Sequence, residues 1–305
     1  MTTDGRLLCA CACAYGINAA DGAYVPPASV SQAANYLETP QTVSGSHINA
    51  ALVGPTSDGI VVAFRGTLSP VPLNALGLHD WMVDFFDVPK SVPQGALFVP
   101  GQVHAGFYDA TVAIIGDIAK AVHALNPAGT LPVYVTGHSK GGAMASIAAY
   151  ILQQGFGIKL QPVVTFASPR AGDSGFLAGY QAVLQQTRYE NYGDLVPLLP
   201  PSHTPVDLLT CILNRIPDVG PDIARVFNQA KDWDYRAVGQ MRFIEDSDQH
   251  YAICDDEGLE PQMLAVLEEV GRDVLARNFS SIVDAHTLDY GYGYMSGVCP
   301  DGLGS

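Results

Sequence analysis

The stretch Val133 to Ala145, VYVTGHSKGGAMA, constrains this chain more than any other. An apolar run breaks at Gly137-His138-Ser139-Lys140-Gly141 and resumes as a series of small residues. The apolar Leu131 to Val135 suits a buried parallel strand and the Ala-rich Lys140 to Leu152 suits a helix, so a sharp strand-to-helix turn must fall at Ser139. A serine hydroxyl is a weak nucleophile at neutral pH, and a turn of this kind exposes it beside a base and beside backbone N–H donors. Glycine two positions away on each side removes side chains that would collide there. Gly142, Ala143, Ala145 and Ala148 let the helix lie close to the sheet.

The surrounding pattern is strand, helix, strand. Val163 to Phe166 reads as the next buried strand, Asp173 to Leu184 as a crossover helix and Arg188 to Tyr192 as a further strand, which together predict an α/β fold. With 305 residues, 48% of them hydrophobic, the chain can bury one large core, and a single domain over 1–305 is expected. The formal charge of −15 excludes nucleic acid and anionic lipid surfaces as favourable partners and suits a neutral substrate. No apolar run approaches the length of a spanning helix, so a soluble chain with no integral membrane segment is expected. The N-terminus carries an acidic residue before its one Arg and no clear cleavage site, which predicts a first helix over Leu7 to Tyr15 rather than a signal peptide; secretion stays open. Cys9, Cys11 and Cys13 lack the neighbours that a metal set needs and read as buried thiols, and neither a metal nor an organic cofactor is called for.

Upstream of the turn, Ile48 to Val53 and Ile60 to Phe64 form a hairpin ending at Phe64-Arg65-Gly66-Thr67. Such a strand end can offer the Thr67 N–H and hydroxyl to an oxyanion, the second N–H coming from Lys140; an ordinary strand-end turn fits the stretch equally. The segment 68–88 follows, with Leu78, Trp81, Met82 and Phe85 at helical spacing; its position suits a cover hinged over the site, and a surface helix packed permanently on the core also fits. His104 precedes the nucleophile and reads as structural. Downstream, Asp194 lies on the loop after a strand, where an acid that orients the base belongs, whereas Asp173 suits a helix cap. The stretch 203–232 reads as a helical insertion, Tyr235 to Ile244 as a strand and Pro261 to Ala276 as a long helix. A base must follow the acid, which leaves His203, His250 and His286; His286 is the choice, since His203 lies too near Asp194 and His250 sits beside an acidic run.

These residues resemble the class 3 lipases, the fungal-lipase-like branch of the α/β-hydrolases. The resemblance covers about Ala12 to Tyr294 and rests on FRGT at 64–67, DWMVDF at 80–85, VHAGF at 103–107, GHSKGG at 137–142, FASPRAG at 166–172 and GDLVPLLPP at 193–201. It implies an α/β-hydrolase fold with a mostly parallel central sheet flanked by helices. It also implies a triad of Ser139, Asp194 and His286, oxyanion donors at Thr67 and Lys140, and a lid around Trp81. Three departures stand out: Lys140 replaces the Leu more often found after the nucleophile, the interval from Thr67 to Trp81 is longer, and so is the interval from acid to base. The expected reaction is carboxyl-ester hydrolysis, with triacylglycerols at an oil-water interface as the first substrate class and soluble short-chain or feruloyl esters as the second. A scaffold of this fold that binds without catalysis is the reading from another class.

Overall fold

The computed structural model describes residues 1–45, 49–67, 89–200, 233–245, 251–254, 259–276 and 278–303. Helix α1 (Thr3–Ala14) is capped by the Thr2 hydroxyl, which accepts the Gly5 N–H at 3.1 Å, and a short α2 (Ala28–Ala34) follows. Strands β1 (Gln41–Gly45), β2 (Asn49–Thr56) and β3 (Gly59–Phe64) form an antiparallel meander. After β4 (Pro89–Ser91) and β5 (Gln102–His104) come α3 (Ala105–Leu125), β6 (Val133–His138), α4 (Lys140–Gln154), β7 (Val163–Phe166), β8 (Gly172–Asp173), α5 (Ser174–Gln181) and β9 (Gln186–Asn191). The rest comprises β10 (Tyr235–Arg236), β11 (Gln240–Ile244), β12 (Tyr251–Cys254), α6 (Leu259–Ala276), α7 (Phe279–Asp284) and α8 (Tyr294–Val298).

The main sheet has the order β1-β2-β3-β6-β7-β9-β11-β12. Its centre is parallel, from β3 through β6, β7 and β9 to β11, and antiparallel pairs close both edges. Phe64 pairs with Gly137, and His138 with Phe166, so the C-terminal ends of β3, β6 and β7 finish level with one another. That end of a parallel sheet is where loops gather and sites are built.

Alternation along the strands feeds two cores. Ile60, Val62 and Phe64 pack with α3 and α4 on one face, while Val61 and Ala63 pack with α1 on the other. In α4 the fully buried Ala143, Ala145 and Ala148 bring the helix against the sheet, as the small-residue pattern predicts. Cys9, Cys11 and Cys13 are buried free thiols, and Cys11 Sγ lies 3.3 Å from the Thr136 hydroxyl.

One expected strand is two. Tyr235 to Ile244 divides at Gly239, where φ is +85°, so that β10 joins a small second sheet, β10-β8-β5-β4, while β11 joins the main one. A Cβ at Gly239 would lie 2.6 Å from the Gln186 carbonyl oxygen, which is why a residue without one stands at the corner. The expected lid 68–88, with Leu78, Trp81, Met82 and Phe85, lies outside the described residues, as do the insertion 203–232 and His250.

Candidate active site

Ser139 follows the last residue of β6 at φ 58° and ψ −136°, outside the regions an L-residue prefers. The motif glycines allow this. A Cβ on Gly137 would lie 2.0 Å from the Gly141 carbonyl oxygen, and one on Gly141 would lie 2.4 Å from that of Phe64. The first turn of α4 is thereby packed directly onto the ends of β6 and β3. Ser139 donates its N–H to Phe166 O at 3.0 Å, and its hydroxyl is buried without a hydrogen-bond partner among the described residues.

Gly66 lies against this turn, since a Cβ there would meet His138 O at 2.7 Å and Ser139 Cβ at 2.9 Å. Thr67, the next residue, lines the cleft that His138 and His286 also line. Lys140 begins α4, at the end where backbone N–H groups and the helix dipole favour negative charge. Its ammonium is directed to Asn49 Oδ1 at 2.8 Å, so the side chain is engaged with β2 and its backbone remains at the turn.

Asp194 sits on the turn after β9 and is almost fully buried. Its carboxylate accepts the Val196 N–H at 2.9 Å, the Tyr294 hydroxyl at 2.7 Å and His286 Nδ1 at 2.9 Å. Burial foremost, and then the Asp194 charge, hold the Tyr294 phenol well above its ordinary pKa, so it stays a donor. The Asn191 amide donates to Ala285 O at 3.0 Å and also to Tyr292 O, which fastens the loop carrying His286 to the end of β9. Asp173 caps α5, accepting the Phe176 N–H at 2.8 Å, and the buried His104 caps α3 and stacks on Phe107. Neither belongs to this cluster.

His138 completes it. Its Nε2 lies 2.8 Å from His286 O, its Nδ1 2.7 Å from the Tyr15 hydroxyl, and its ring 4.8 Å from that of His286. Burial, followed by the nearby His286, lowers its pKa well below that of an ordinary histidine. Tyr15, His138, Asn191 and Tyr294 were not singled out from the sequence, because their roles depend on partners far along the chain. A cleft of about 530 Å³ opens from Thr67 and His286, with Val30, Val283, Leu288 and Met295 in its wall. Among the described residues no cluster of His, Cys, Asp or Glu is arranged to hold a metal ion.

Residues 61–204, which carry most of β3, the Ser139 turn and Asp194, match the class 3 lipases. That match spans just under half of the chain. It is 36% identical over 148 residues to a secreted mono- and diacylglycerol lipase of Fusarium solani, covering 47% of this chain and 39% of that protein. It is 32% identical over 158 residues to a lipase of Rhizomucor miehei, covering 49% and 39% of the two. The chain thus spans about two-fifths of the length of these relatives. A solved triacylglycerol lipase, whose catalytic centre is described as a serine protease triad, superposes with a TM-score of 0.63 at 22% identity, over 97% of this chain and 95% of the other. That likeness shows the α/β-hydrolase fold. His286 lies beyond the matched residues, so its place beside Asp194 comes from the geometry alone. No helix among the described residues is long and apolar enough to cross a membrane.

Proposed function

We propose that this chain hydrolyses carboxyl esters of neutral glycerides through an acyl-enzyme on Ser139. The observation that carries the reading is the buried pair of His286 Nδ1 and the Asp194 carboxylate, 2.9 Å apart, at the sheet end where Ser139 stands on its strained turn. Asp194 holds the proton of His286 on Nδ1, which leaves Nε2 as the base. His286 takes the hydroxyl proton as Ser139 Oγ bonds to the ester carbonyl carbon, and returns it to the departing alkoxide as the acyl-oxygen bond breaks. Water repeats the two steps and releases the acid. The N–H groups of Thr67 and Lys140 hold the oxyanion, a contribution of about 3 kcal/mol per donor in comparable sites.

Neutral glycerides fit the charge of −15, which repels anionic surfaces, and the apolar wall of the cleft beside His286. The secreted relatives support an extracellular place of work. In this reading 1–305 is a single domain. The test is hydrolysis of tributyrin by the wild type, Ser139→Ala and His286→Ala. Each variant is expected to stay folded and to lose about 10⁴-fold or more in kcat, and substantial residual turnover by Ser139→Ala would refute the assignment. A rise in rate above the solubility limit of tributyrin is expected of a lipase; plain saturation below it would show a soluble esterase.

A further inference from the structure

Two side chains that take no part in those bond changes, the buried His138 and the half-buried Tyr15, lie between the groups that do. His138 is 4% exposed and directly precedes Ser139. The carbonyl of His286, 2.8 Å from its Nε2, can only accept a hydrogen bond, so Nε2 carries the proton. Nδ1 is then a lone pair, and the Tyr15 hydroxyl, 2.7 Å away, is its donor. Gly66 packs against the Tyr15 hydroxyl, which a Cβ there would meet at 2.2 Å. The direction of both bonds is fixed: Tyr15 O–H to His138, and His138 N–H to the backbone of His286. One end packs against the neighbour of Thr67 and the other is the base itself.

We propose that His138 is a positioning residue for ester hydrolysis. As the Nε2–H tautomer fixed by Tyr15, it ties the backbone of His286 to the Ser139 turn and sets the reach of the base. The proposal rests on the acyl-enzyme reading of Ser139. Asp194 holds His286 through Nδ1 and His138 holds the same residue through its carbonyl, and two fixed points on one residue define where Nε2 points. A charged ring 4.8 Å away would oppose the imidazolium that forms on His286 during attack. Burial, which disfavours a cation at His138, keeps that ring neutral. Tyr15 faces it from the end of α1 and Tyr294 from α8, both of them neutral phenols.

The experiment compares His138→Phe, which fills the ring volume without a donor, with His138→Gln, which keeps an N–H for the carbonyl. Steady-state kinetics on tributyrin are normalised to the Ser139 sites titrated by a fluorophosphonate. Displacing the base by a fraction of an ångström predicts a loss of about 100-fold in kcat for His138→Phe with KM within about 2-fold, and recovery of at least about 10-fold by His138→Gln. Wild-type kcat per titrated site in His138→Phe would overturn the proposal, as would equal kcat in the two variants or a loss confined to missing sites. Should His138→Phe fail to fold, Tyr15→Phe decides: freeing the tautomer is expected to cost about 10-fold in kcat, and an unchanged kcat overturns the proposal. A wild type that the fluorophosphonate leaves unlabelled would sink the acyl-enzyme reading instead, so the two failures are distinct.

Discussion

Ser139 holds φ 58° and ψ −136°, and a conformation of that kind costs an L-residue on the order of 1–3 kcal/mol. Any side chain with a Cβ bears this cost, so Ser139→Ala removes the hydroxyl and keeps the strain. Ser139→Gly removes both and adds the entropy of a freer unfolded chain. Urea unfolding is therefore expected to find Ser139→Gly more stable than Ser139→Ala by about 1 kcal/mol; equal or reversed stabilities would mean that the turn is relaxed. Both should be inactive, so stability and turnover separate at one position. The same locality explains which residues the sequence reveals. A glycine requirement two residues from the serine is written into five consecutive letters, and Asp194 is marked by the strand before it. His138 sits inside that motif and yet carries no mark, since its partners Tyr15 and His286 are 123 and 148 residues away. Tyr294 and Asn191 are silent for the same reason.

At the scale of elements, periodicity and small-residue runs placed α4, β7 and α5 close to their observed bounds because each buries a face of its own, while α1 starts at Thr3 rather than the expected Leu7. Tyr235 to Ile244 defeats the same reasoning. Its residues suit a strand throughout, and the break at Gly239 is imposed by the neighbouring Gln186 on β9, which no local pattern reports. Antiparallel β1 and the short strands β4, β5 and β8 of the second sheet escaped notice because two to five residues carry too little alternation. The corner makes a prediction. Gly239→Ala meets both an unfavourable φ of +85° and a carbonyl oxygen 2.6 Å from its new Cβ, whereas Gly157→Ala meets φ +69° and open space. The first is expected to cost about 2–4 kcal/mol and the second about 1 kcal/mol in denaturant unfolding. Comparable losses would show that backbone conformation, and not the closeness of β9, keeps glycine at this corner.

Across the whole molecule, the buried polar cluster links stability to pH through one ring. His138 is neutral in the native state because burial, and then His286, hold its pKa well below that of an ordinary histidine. In the unfolded chain the same ring titrates near about 6.5. Below that pH the unfolded state binds a proton that the native state refuses, so stability rises with pH and is lost on acidification. The contribution is fully present above about pH 7 and falls by about 1.4 kcal/mol per unit below about 6.5, until the native ring itself titrates. Many carboxylates also titrate in a chain of net charge −15, so the term must be read as a difference. His138→Gln removes the titrating ring and leaves those carboxylates in place. The unfolding free energy of the wild type minus that of His138→Gln is expected to stay level above pH 7 and to drop by about 2 kcal/mol between pH 7.5 and 5. A difference that stays level throughout would mean that His138 takes up its proton as readily in the folded protein as in the unfolded one, and that the buried link between Tyr15 and His286 opens at mildly acidic pH.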